Sequence, residues 1–105
     1  MKKELEKVSQ RISELLPELI EVKEKYNTFM SNFERIKAEI TMRETTLGLK
    51  NQEMREAEVI RILDNEGLLD KKLEISNNYY RIKIELDYLL ELSSNYRALI
   101  YEERK

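Results

Sequence analysis

Five of the six tyrosines in this chain fall between Tyr79 and Tyr101, and two of the runs they make adjoin arginine: Tyr79-Tyr80-Arg81 and Tyr96-Arg97. Tyrosine with arginine is the chemistry of anchors in protein interfaces. It is also the chemistry of base stacking on single-stranded nucleic acid. Tyr80, Arg81, Tyr88, Arg97 and Tyr101 are therefore the candidate partner-contacting residues. Tyr79 and Tyr96 fall at seam spacing on a helix, where their rings fill a packed face and their hydroxyls reach solvent.

Other chemistry is hard to find. Histidine, cysteine and tryptophan are all absent. That excludes zinc sites built from thiolate or imidazole, histidine acid–base pairs, and Cys-His or Ser-His-Asp nucleophiles. The two glycines, Gly48 and Gly67, are too far apart to form a phosphate-cradling loop. Carboxylates are the remaining metal ligands, but Glu14, Glu18 and Glu21 lie on the outer faces of their helix, away from a bundle interior. No catalytic, cofactor-binding or metal-ligating residue is expected, and the chain reads as a non-enzyme.

Charge narrows the partner class. There are 19 basic and 21 acidic residues, for a net charge of −2, well mixed along the chain. No basic stripe marks a nucleic-acid face. A nucleic-acid factor would have to align Lys71, Lys72, Arg81, Lys83 and Arg97 beside exposed tyrosines, and the acidic surroundings disfavour it. The start, Met1-Lys2-Lys3-Glu4, leads into a charged helix rather than an apolar signal core, and no apolar run approaches bilayer length. With no cysteine, a reducing compartment fits, and the expected location is cytoplasmic.

The elements that position these residues are long helices. Ala, Glu, Lys, Leu and Arg supply 55 of 105 residues, a composition of coiled coils and long helices. Leu5, Val8, Ile12, Leu15, Leu19, Val22, Tyr26, Phe29, Phe33, Ile36 and Ile40 succeed one another at alternating steps of three and four. That heptad seam predicts a left-handed supercoil against another helix. Pro17 falls opposite the seam, where it can bend the helix without disturbing the packed face. The unbroken register favours a kink over a restart at proline. The seam ends at Arg43. The stretch from Glu44 to Asn51, with two threonines, a glycine and an asparagine, reads as a connector, and Asn51 as an N-cap.

A short helix follows, with Met54, Ala57, Ile60 and Leu63 as its apolar spacing, and Asp64-Asn65-Glu66-Gly67 breaks it. A second seam runs through Ile75, Tyr79, Ile82, Leu86, Leu89, Ser93, Tyr96 and Ile100, with Ser93 its one polar member. Ser93 reads as a packing adjustment; the alternative is a register-fixing residue. Leu73, Tyr80, Ile84, Tyr88, Leu90, Leu92 and Leu99 widen the apolar face beyond one stripe, so this helix is expected to be buried on more than one side.

A helical hairpin of this length resembles the WXG secretion family in size, but the Trp-x-Gly turn is missing and Leu47-Gly48 stands at the middle of the chain. The stretch Leu49-Lys50-Asn51-Gln52-Glu53-Met54-Arg55-Glu56-Ala57 and the helix after it resemble small helical proteins encoded in bacteriophage genomes, over about residues 35–100. That resemblance implies a mobile-element setting.

The expected fold is all-α: an antiparallel coiled-coil hairpin of two long helices with a short middle helix, in one domain spanning 1–105 and oligomeric. The helices are expected at about 3–43, 52–64 and 68–103. The middle helix is too short to cover the apolar surface of the last one, so self-association or an obligate partner is expected. The leading functional reading is a non-enzymatic coiled-coil module that binds protein, such as an inhibitor of or accessory factor to a host protein. The alternatives are an assembly subunit that mainly self-associates and a nucleic-acid accessory factor. No cofactor and no membrane partner are expected.

Overall fold

A computed structural model describes residues 1–104. The long first and last helices pack against each other as an antiparallel coiled-coil hairpin, with shorter helices between them. The order is α1 (Lys2–Thr41), α2 (Glu44–Leu47), α3 (Gln52–Asn65) and α4 (Leu68–Arg104), with no strand among the described residues. The helix ends fall within one or two residues of those the periodicity predicts. By packing, the chain divides into two compact units: Met1–Glu24 with the chain from Asn77 on, and Lys25–Ser76.

In the first unit two helices share one seam. Val8, Leu15, Ile82 and Leu86 are buried, with Leu15 fully excluded from solvent. Leu5, Ile12, Leu19 and Val22 on α1, and Tyr79, Leu89, Tyr96 and Ile100 on α4, are half-buried beside them. Ser93 is buried at the seam position its spacing assigns. The helices run antiparallel: the Met1 ammonium feels the Glu103 carboxylate, while Arg11 bonds Glu85 at 3.0 Å. Arg11 and Glu85 both flank their seams at the position before the first core residue of the heptad. In an antiparallel pair those positions face each other.

Pro17 sits inside α1 and is exposed, on the side opposite the seam. It has no amide hydrogen to offer the Ser13 carbonyl one turn earlier. Ser13 is also exposed, and its hydroxyl donates to the Gln10 carbonyl at 2.7 Å. The helix passes through the proline because the lost bond lies on the solvent side and the packed side is intact.

In the second unit three helices meet. Phe33 and Ile40 from α1 and Val59 and Leu63 from α3 form the core, with Phe29, Ile36, Ile62, Leu68 and Leu69 packed against it. Tyr26 and Ile75 are half-buried in the same unit. The connector is more ordered than a loop. Arg43, in extended conformation, ends α1's register, and α2 makes one turn with the Thr46 and Leu47 amides bonding the Arg43 carbonyl. Thr46 is wholly buried. Asn51 caps α3: its side-chain oxygen accepts from the Met54 amide at 2.9 Å. Arg55 Nε then donates to the Leu49 carbonyl at 3.2 Å, tying the connector to α3.

The register of α3 differs from the one its sequence spacing suggests. Met54, Ala57 and Ile60 are exposed, and Val59, Ile62 and Leu63 face the core instead. A step of three falls about 60° short of a full helical turn, so three such steps carry the residue to the opposite side. Only Leu63 belongs to both sets. At the end of α3, Gly67 adopts φ +74°, the left-handed conformation that an L side chain resists. Its amide bonds the Asp64 carbonyl at 2.9 Å, and its carbonyl accepts from Lys71 as α4 begins.

Candidate interaction surface

All five candidate contact residues are exposed on α4, within the first unit. They do not form one cluster. Tyr80, Arg81 and Tyr88 lie together around Ile84, on the side of α4 turned away from its seam with α1. Tyr80, Ile84 and Tyr88 are four residues apart in succession, one above the next on a single helix face. They are 48%, 67% and 61% exposed. Arg97 and Tyr101 form a separate pair, also four apart. Arg97 stands nine residues beyond Tyr88, about 13 Å along the axis and about half a turn around it.

Ile84 is the residue that sequence reasoning left out of the contact set. Its signal was available: it is an isoleucine at the outermost heptad position, where a solvated helix carries charge. It was grouped with the broad apolar face instead. That face was expected to be buried on several sides, yet Leu90 and Leu99 are also exposed and only Leu92 is half-buried. α3 packs into the core of the second unit.

The electrostatics are those of a solvated surface. A hydrogen bond from the Met1 ammonium lowers the Glu4 carboxyl below its ordinary range, across 2.8 Å. Arg61 does the same for Glu58, donating through Nε at 3.0 Å. The hydrogen bond to Glu85 raises Arg11 further above its usual value. All of these groups are at the surface.

Lys71 and Lys72 belong to the second unit and face rings, not the tyrosines of α4. Lys72 Nζ lies 4.7 Å from the centre of the Phe33 ring, and Lys71 Nζ lies 6.0 Å from that of Phe29. Their stems cover the aromatic layer while the charges sit over the ring faces. The cationic row that a nucleic-acid groove needs is therefore divided between two roles.

The second unit also has an open cleft of about 430 Å³, lined among others by Lys37, Leu47, Arg55, Glu56 and Ile60. Arg55, one of the lining residues, already bonds the Leu49 carbonyl. No group of three or more acidic residues among those described is placed to hold a metal ion. None of the described helices is long and apolar enough to cross a membrane.

Comparison with protein families, curated proteins and solved structures returns no match for this chain.

Proposed function

We propose that the protein is a non-enzymatic coiled-coil module that acts by binding protein through the outer face of α4, at Tyr80, Ile84 and Tyr88. The exposure of these three large side chains, in line on one face of a rigid helix, carries the reading. Tyrosine buries much area at small entropic cost, and an adjacent arginine adds a directed charge; such residues dominate binding energy in protein interfaces. A helix that presents anchors at i, i+4 and i+8 suits a partner groove or a second helix. The resemblance to phage-encoded helical proteins makes a host protein in the cytoplasm the natural target of the assembled module, as inhibitor or accessory factor. The nucleic-acid alternative ranks lower because Lys71 and Lys72 lie over phenylalanine rings.

The test uses tagged protein as bait in nuclease-treated lysate of the native host, read by mass spectrometry. The wild type is expected to retain a stoichiometric protein, which the Ile84→Arg variant loses. Equal retention by both would remove α4's outer face from the reading. Recovery that depends on intact nucleic acid would favour the accessory-factor alternative.

A further inference from the structure

The outer face of α4 has an internal symmetry. Tyr80 lies four residues before Ile84 and Tyr88 four residues after it, so the stripe reads Tyr–Ile–Tyr in either direction. The flanks are ordered too. At about 100° per residue, Arg81 and Tyr88 fall on one side of the stripe, and Tyr80 and Asp87 on the other. All four are exposed.

We propose that this face binds a second copy of the same chain, with α4 packed antiparallel on α4 of the second copy about a two-fold axis through Ile84. The proposal rests on the reading that α4's outer face binds protein, and it names the partner. A two-fold axis brings a surface onto itself, so the patch must be self-complementary. This one is. Ile84 meets Ile84 of the second copy. Each flank meets the same flank of the second copy, running in the opposite direction. Arg81 therefore comes level, to within about one residue rise, with Tyr88 of the second copy, a guanidinium against an aromatic ring. Tyr80 comes level with Asp87 of the second copy, a phenolic hydroxyl against a carboxylate that can accept its hydrogen bond. Each contact occurs twice.

Beyond the centre, Asn77 falls opposite Glu91 of the second copy, both exposed and able to share a hydrogen bond. Lys83 of the two copies come near each other on one flank, where their long side chains can extend into solvent, and Glu85 on the other flank is held by Arg11 of its own copy. The patch is small beside the ~1,600 Å² of a standard interface, so the dimer is expected to be weak, with dissociation in the micromolar range.

Sedimentation of the full chain from about 1 to 300 µM tests this. The expected result is a monomer that passes to a dimer across the series. Ile84→Arg should lose the dimer and keep its helical circular dichroism, because the side chain it replaces is at the surface. The chain has no cysteine, so single-cysteine variants report contact directly. Ile84→Cys should form a disulfide-linked dimer about tenfold faster than Ile20→Cys, another exposed isoleucine of the same unit. A mixture of Arg81→Cys and Tyr88→Cys copies should cross-link to each other in preference to themselves, which an antiparallel arrangement requires and a parallel one forbids. A monomer at every concentration, or equal cross-linking of Ile84→Cys and Ile20→Cys, would overturn the proposal. In that case, a lysate protein that the wild type retains and Ile84→Arg loses would leave the protein-binding reading standing with an unlike partner. Loss of both results would remove the two together.

Discussion

Thr46 is fully buried on the single turn of α2, and its hydroxyl has no hydrogen-bond partner among the described residues. A buried hydroxyl without a partner has given up its water for nothing, which costs about 1–3 kcal/mol. Valine has nearly the same shape and no such group. Thr46→Val is therefore expected to stabilise the protein by about 1 kcal/mol, seen as a rise of several degrees in the thermal midpoint. A fall in the midpoint would mean that the hydroxyl is satisfied. Nothing in the local pattern of residues signals this burial. Two threonines, a glycine and an asparagine in eight residues look like a solvated connector, and only the packing of the second unit encloses one of them. Asn51 was legible because capping is local: the side chain bonds an amide three residues on, whatever surrounds it.

At the scale of the element, the long helices were readable and the short one was misread. A seam of eleven residues at steps of three and four admits one helical face, and each of those residues is buried or half-buried. Even Pro17 is tolerated where the seam requires, on the exposed side. Fourteen residues of α3 leave room for rival stripes. Met54, Ala57 and Ile60 are apolar and regularly spaced, but three-residue steps drift around the helix, while Val59, Ile62 and Leu63 stay together. The two stripes make different demands on stability. Leu63→Ala should cost about 2–5 kcal/mol, since the side chain is buried in the core. Ile60→Ala should stay within about 1 kcal/mol, since the residue is 57% exposed. Chemical denaturation of the two variants measures both, and similar losses would refute the register of α3.

For the whole molecule, stability and association are linked. If copies pair through α4, the folded dimer gains free energy that the unfolded chain does not, so the thermal midpoint rises with protein concentration. The midpoint is expected to climb by a few degrees between about 10 and 300 µM for the wild type and to stay level for Ile84→Arg. A midpoint independent of concentration in both would speak against a second copy on that face.

Periodicity alone determined that the chain is helical, where its long helices lie and which of their residues form the seams. Those properties depend on the angle between successive residues, which is the same in every helix. It also placed tyrosine and arginine on α4. Only the tertiary structure decided which apolar residues remain outside, that Lys71 and Lys72 cover aromatic rings, and that Thr46 is enclosed. Burial of that kind depends on which distant element arrives as a neighbour, and spacing within one element does not record it. The five tyrosine and arginine candidates were thus separated into the stripe around Ile84 and the pair farther along the helix. The symmetry of the stripe became meaningful once its exposure was known.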